Sequence, residues 1–255
     1  MDTDRRAILA AALALPAIAS GRAARAGGIR LLCAVALRPA MGVLLADFAG
    51  AAGQEAAIAF DTAGAVANRV RDGEAADVLI SSTPLMQQLQ AQGRIAPGDL
   101  VVFARVGVGA FVRPGAAKPD IGSAAAFTRA MLAARSIAYP DPAGGGASGI
   151  YLAALLERLG IAEAMRPRTR LLPPTEVLYD SVAGGEVEIG FNQVSEILAQ
   201  PSVEFAGPLP PEIQNYTRFA GGIVTGSAEA EAGRALVAFL ASPPAQAVLR
   251  AKGFE

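Results

Sequence analysis

The chain has 255 residues, 53% of them hydrophobic and 18% charged, with 22 basic against 23 acidic side chains, one cysteine and no histidine. That charge balance, with no basic run, excludes nucleic acid as a partner, because phosphate binding needs a clustered basic excess. Without histidine no Ser-His-Asp or Cys-His arrangement and no His-containing zinc site can be built, so any catalysis falls to Asp, Glu, Lys, Arg, Tyr or a hydroxyl.

Arg5-Arg6 precedes the apolar run Ala7–Ala19, and polar Ser20-Gly21-Arg22 leads to Ala24-Arg25-Ala26, an A-x-A cleavage site. Residues 1–26 therefore read as a removable export signal of twin-arginine type, which sends the protein to the periplasm. The run is shorter than the roughly 20 residues of a membrane span. No later apolar stretch is expected to cross a bilayer. Removing residues 1–26 takes away four basic and two acidic side chains and leaves a weakly acidic remainder. That remainder is large enough for one large domain or two lobes. Cys33 lies in the apolar segment Ile29–Ala36 and is expected to be a buried core residue without a disulfide.

From Gly27 onward, strand-like and helix-like segments alternate. Strands are expected at Ile29–Ala36, Ala56–Asp61, Asp77–Ser81 and Leu100–Phe103, and helices at Ala40–Ala51, Ala63–Arg71 and Pro84–Gln92. This order predicts a mostly parallel sheet covered on both faces, with its strand-to-helix loops gathered at one edge. Those loops are Leu37-Arg38-Pro39, Thr62-Ala63-Gly64 and Ser81-Ser82-Thr83. Each carries small or hydroxyl residues before a helix, suited to capping or to holding an anion. Val101–Pro114 reads as one long extended stretch whose glycines permit a bend. A second set follows: helix Ala124–Ala134, strand Ser136–Tyr139, a Gly-rich turn with its helix, strand Thr169–Leu172, helix Glu176–Ala183, strand Glu188–Asn192 and short helix Val194–Ala199. Val203–Ala206, a stiff Pro208-Leu209-Pro210-Pro211 segment, strand Tyr216–Thr225 and helices Ala228–Leu240 and Pro244–Lys252 complete the chain. Two α/β sets joined by two extended crossings predict an α/β fold of two lobes around a ligand cleft.

In the Gly-rich turn, Gly144, Gly146 and Gly149 match the dinucleotide fingerprint G-x-G-x-x-G, and Gly144 and Gly149 have the spacing of a phosphate loop. The phosphate loop needs Lys then Ser/Thr after its last glycine, where Ile150 and Tyr151 stand. The dinucleotide site needs an acid at the end of the next strand, where Pro173-Pro174 stands. The turn is left as a helix N-terminus capped at Ser148, or as one edge of a small-anion site. No motif calls for a cofactor.

Several stretches resemble the type II periplasmic substrate-binding proteins, specifically the molybdate-binding (bacterial extracellular solute-binding) family. They are Leu37-Arg38-Pro39-Ala40-Met41, Phe60–Val70, Gly73-Glu74-Ala75-Ala76-Asp77-Val78-Leu79-Ile80-Ser81, Pro140-Asp141-Pro142, and the ending from Phe239 through Ser242-Pro243-Pro244 to Gly253-Phe254. The resemblance spans nearly all of the chain after the signal. It implies a lobe of residues 27–105 and 208–255, a second lobe of residues 106–207, and a monomer that delivers a small anion to an ABC permease. In that family an oxyanion is held by hydroxyls and backbone N–H groups rather than by countercharges. Carried over, the family's two serine positions fall at Ala36 and Ala63, a small residue at Ser82, a backbone donor at Val177 and the tyrosine at Gln193. Thr62 and Ser81 are neighbouring hydroxyls that could substitute for the missing serines, and Ser148 adds a hydroxyl from the Gly-rich turn. Arg38, at the mouth of the first helix, could instead hold a carboxylate by a bidentate pair.

The ligand-binding set is thus Ala36, Arg38, Thr62, Ala63, Ser82, Ser148, Val177 and Gln193, with no catalytic residue and no metal-cation site. The ligand is molybdate or a similar oxyanion, with a small carboxylate as the rival. A periplasmic isomerase of the aconitate type resembles the same family and is the enzymatic alternative. Its base would come from Asp61, Glu176 or Tyr179.

Overall fold

A computed structural model describes residues 28–173 and 176–255. The export signal expected over residues 1–26 and the Pro174 of the Pro173-Pro174 stop lie outside the described residues. The apolar run Ile29–Ala34 forms β1, buried at every position except Arg30, as a strand covered on both faces must be. Arg38–Ala52 is α1, with proline in its first turn and Gly53 in the left-handed region (φ 64°) at its end. Ala56–Asp61 is β2 and Ala63–Arg71 is α2, capped by the Thr62 hydroxyl, which accepts from the Ala65 N–H at 3.1 Å. Val78–Ser82 is β3, Thr83–Ala91 is α3, and Val101–Val112 is the 12-residue β4.

The second set comprises α4 (Ala124–Ala133), β5 (Ile137–Pro140), α5 (Ala147–Arg158), α6 (Ala162–Met165), β6 (Thr169–Leu172), α7 (Glu176–Ala183), β7 (Ile189–Gln193) and α8 (Val194–Leu198). Then come β8 (Glu204–Pro208), β9 (Tyr216–Ile223), α9 (Ala230–Leu240) and α10 (Pro243–Ala251).

The strands run in the order β2-β1-β3-β9-β4-β7-β5-β6, with β8 also on β4. β1 pairs in parallel with β2 and β3, and β5 in parallel with β6 and β7. The expected fourth parallel neighbour is not one. β9 inserts between β3 and β4 and is antiparallel to both. The reason lies in the length of β4. Its first half, Val101–Gly107, pairs with β9, while its second half, Val108–Val112, pairs with β7 and β8, so one strand serves both halves of the molecule. Gly107 sits where the pairing changes hands. A Cβ there would lie 2.9 Å from the Gln214 amide, which bonds the Val108 N–H and C=O at 2.8 and 3.0 Å.

Each half is a sheet with its own pair of cores. In the first, Met41, Leu44, Phe48, Ile80, Leu236 and Leu249 pack one face, and Val66, Leu79, Met86, Leu89 and Ile95 the other. In the second, Phe127, Met131, Leu152, Leu155 and Phe191 pack one face, and Phe111, Leu178, Tyr179, Val182 and Ile197 the other. Each fully buried side chain of this size contributes about 1.5–3 kcal/mol, which is why the periodic apolar runs select these faces. The segment Val35–Ala52 does have the length and mean hydropathy (1.4) of a membrane span, against expectation. Its Ala40, Met41, Leu44 and Phe48 are nevertheless spent on the first core. Cys33 is buried there as expected, and burial pushes its thiol far above the usual range.

Candidate functional site

The C-terminal ends of β1, β2, β5 and β7 converge, as parallel strands followed by helices require. Two loops meet there directly. Thr62 Oγ1 donates to the Gly144 carbonyl at 2.6 Å, and the Gly64 N–H donates to the Gly145 carbonyl at 3.2 Å. The approach depends on both glycines. A Cβ on Gly64 would lie 3.1 Å from Gly145 Cα, and Gly145 itself has φ 72°. The two halves of the molecule are thus in contact across the site.

Behind this contact lies a cavity of about 20 Å³, lined by Ala36, Thr62, Ala63, Ser148, Asn192, Gln193, Glu196 and Phe219 among others. That is room for about one water molecule. In front lies a cleft of about 710 Å³, whose walls include Arg38, Phe60, Asp61, Thr62, Asp141, Glu176, Tyr179 and Glu196. Thr62 and Glu196 border both.

Of the sequence-derived site residues, Ala36, Thr62, Ala63, Ser148 and Gln193 come together at the small cavity, and Arg38 and Thr62 line the larger cleft. Ser82 and Val177 line neither. Ser82 pairs in register with Phe219 of β9, and it is Phe219 that forms the cavity wall. Val177 is 53% exposed on α7, whose Glu176 and Tyr179 face the cleft instead. Ser148 is not the helix cap. Gly146 holds that position, and the buried Ser148 hydroxyl donates to Asn192 Oδ1 at 2.8 Å. Gly149 is explained by packing rather than by phosphate: a Cβ there would fall 1.9 Å from the Pro140 carbonyl oxygen, so only glycine lets α5 press on the end of β5.

The hydroxyls next to the two alanines are already committed. Ser81 Oγ donates to the Ala63 carbonyl at 2.8 Å, and Ser195 Oγ to the Ala36 carbonyl at 2.9 Å, both buried. Gln193 donates through Nε2 to Thr217 Oγ1 at 3.1 Å and leaves its buried Oε1 without a partner. Turned over, the same amide could accept from Thr217 and offer its N–H₂ instead.

Sequence reasoning missed Asn192 and Glu196. Asn192 is fully buried at the end of β7. Its Oδ1 accepts from Ser148 Oγ and from the Gln193 N–H, both at 2.8 Å, and its Nδ2 donates to Tyr179 Oη at 2.9 Å. Glu196, in the first turn of α8, is a carboxyl held between the two cavities. Burial pushes its pKa up to about 7 despite the opposing pull of the Asn192 amide and the Arg38 guanidinium. Burial, with the charge of Glu196, also raises the Tyr179 phenol well above its usual value. The legible signal was the polar string Asn192-Gln193-Val194-Ser195-Glu196 at a strand-to-helix junction, where ligands of such sheets sit. Arg38 is exposed at the start of α1, its guanidinium carbon 4.7 Å over the Phe60 ring. Among the described residues it is the one basic side chain lining the cleft, opposite Asp61, Asp141, Glu176 and Glu196.

Comparison with known proteins bears on this geometry. The sequence model of the family described as bacterial extracellular solute-binding protein matches residues 29–255. An aconitate isomerase from Pseudomonas sp is 34% identical over 196 residues, covering 76% of this chain and 73% of that protein. The periplasmic molybdate-binding protein of Azotobacter vinelandii superposes with a TM-score of 0.74 at 19% identity, over 89% of this chain and 98% of the other. The sulfate-binding protein of Mycobacterium tuberculosis H37Rv does so with a TM-score of 0.70 at 17% identity, over 89% and 86%. At these identities the two structural likenesses speak to the fold, a type II periplasmic binding fold of two lobes.

Proposed function

This chain belongs to the bacterial extracellular solute-binding protein family, and on that premise we propose that it captures a small organic acid, by its carboxylate, in the cleft between its lobes. The observation that carries this reading is Arg38, the one cation among the described residues on a cleft of about 710 Å³. A guanidinium matches a carboxylate bidentately, and the volume suits a molecule larger than a tetrahedral oxyanion. The oxyanion reading is weaker on the same geometry. Ala36 and Ala63 bring no hydroxyl, Ser81 and Ser195 are committed to backbone carbonyls, and the cavity beside them is about 20 Å³. Each missing partner costs a buried oxyanion roughly 1–3 kcal/mol.

In this reading residues 1–26 direct export to the periplasm, residues 27–105 with 208–255 form one lobe, and residues 106–207 form the other. The lobes close through Thr62, Gly64, Gly144 and Gly145, and the closed monomer docks on a membrane permease. Calorimetry of the mature chain against molybdate, tungstate, sulfate and a panel of di- and tricarboxylates tests it. Binding of a polycarboxylate without molybdate binding is expected; tight molybdate binding would overturn the proposal.

A second reading has its own observation. The half-buried Glu196 carboxyl in the cleft and the 34% identity to an aconitate isomerase favour an isomerase acting on an organic acid at the same site. Incubation with cis-aconitate, followed for the trans isomer, separates enzyme from binder.

A further inference from the structure

Among the described residues four acids line the cleft, and they are not equivalent. Asp61 Oδ1 accepts from the Thr62 N–H at 2.8 Å and Asp141 Oδ1 from the Ala143 N–H at 2.9 Å, so each is tied into the turn it begins. Glu176 is exposed in the first turn of α7. Of the four, only Glu196 borders both the cleft and the small cavity behind it, beside a buried Asn192 whose amide is fixed from both sides by Ser148 and Tyr179. Arg38 lines the same cleft and acts on Glu196 electrostatically.

We propose that Glu196 is the proton-transfer group of this site, acting on an unsaturated di- or tricarboxylate whose carboxylate is held by Arg38. The proposal rests on the carboxylate reading of the cleft and on the isomerase reading given above. The Glu196 carboxylate removes a proton from the carbon adjacent to the substrate double bond. The C–H electron pair becomes a new C=C, the original π pair moves onto the conjugated carboxylate as a dienolate, and Arg38 faces the charge that develops there. The same Glu196, now protonated, returns its proton at the far end of the allyl unit. The double bond has then moved by one position, with no oxidant, reductant or second substrate. One carboxyl can serve both steps because its pKa of about 7 lets it take and release a proton near neutrality. Neither Asp61 nor Asp141 borders the small cavity, each accepts from a backbone N–H of its own turn, and the Tyr179 phenol is buried against Asn192.

The test uses trans-aconitate in D₂O with the mature chain, reading deuterium incorporation by proton NMR and affinity by calorimetry. Wild type should exchange its allylic proton and form the cis isomer. E196Q should bind trans-aconitate within about threefold of wild type while exchange falls by roughly 10²–10⁴-fold, the usual contribution of a general base. E196D, with its carboxyl set back, should retain intermediate exchange, which separates lost chemistry from a misfolded variant. Exchange by a folded E196Q at the wild-type rate would overturn the assignment. So would wild type that binds trans-aconitate while neither exchanging it nor forming the cis isomer, which leaves the binding reading standing. Loss of binding together with exchange in E196Q would make Glu196 a ligand-holding group and equally overturn it. Wild type that binds no polycarboxylate at all would bring down the carboxylate reading itself.

Discussion

Replacing Glu196 by Gln should stabilise the ligand-free protein, and by an amount that depends on pH. The carboxyl is shifted from 4.5 to about 7 by burial. Its native pKa lies above its unfolded one, so the native state holds the proton more tightly. The stability this contributes is complete below pH 4.5, declines as pH rises between the two values, and is gone above about 7. At 1.36 kcal/mol per pKa unit the loss is about 3 kcal/mol at most, less whatever water reaches this half-buried residue. In E196Q there is no charge to bury, and the amide can still face Asn192. The melting temperature of E196Q should therefore exceed that of wild type at pH 8, by no more than roughly 6–12 °C, using 2–4 °C per kcal/mol for a chain of this size. The difference should close toward pH 4.5. Thermal melts by circular dichroism, in matched ionic strength at half-unit pH steps from 4 to 8.5, give the curve. A gap between the two proteins that stays flat over that range would refute the reasoning, because it would mean that Glu196 is solvated in the folded state.

Other substitutions probe the remaining parts. R38Q removes the only cation lining the cleft among the described residues; calorimetry with the best polycarboxylate should show affinity reduced by at least tenfold, with the melting temperature nearly unchanged because Arg38 is exposed. G64A places a methyl about 3.1 Å from Gly145 Cα and disturbs the Gly64 to Gly145 bond. Losing about 1 kcal/mol of closure should raise the open population severalfold and increase the ligand-free radius of gyration by small-angle scattering. D77A should be the most damaging to stability, costing about 3 kcal/mol in urea denaturation. Asp77 is buried and accepts from the Arg30 backbone and guanidinium at 2.9–3.1 Å and from Ser227 Oγ at 2.9 Å. Despite its burial these partners hold its pKa below the usual carboxylate value. Its contribution is therefore present above pH 3.8 and lost only as pH falls through the lower native value.

Much of the chain's local structure could be read from short-range pattern. The strand Thr169–Leu172 and the helix Glu176–Ala183 fall where the apolar spacing puts them, and Thr62 caps α2 as a threonine before a helix should. The likeness to periplasmic binding proteins was carried by contiguous strand-to-helix motifs, which the family match over residues 29–255 bears out. Ser82 and Ser148 show where such reading stops. Both are hydroxyls at strand-to-helix junctions, alike in sequence, yet Ser82 lines neither cavity while Ser148 lines the small one with its hydroxyl committed to Asn192.

By itself the sequence determined the elements, the two α/β sets and a chemistry without histidine or disulfides, because periodicity and residue type act over a few neighbours. Only the tertiary structure decided that β9 enters between β3 and β4, that Gly64 meets Gly145, and that Glu196 lies between two cavities with a raised pKa. The physical reason is shared by all three. Strand partners, close backbone contacts and the desolvation of a carboxyl are set by residues far away along the chain, and only the packed molecule brings them within reach.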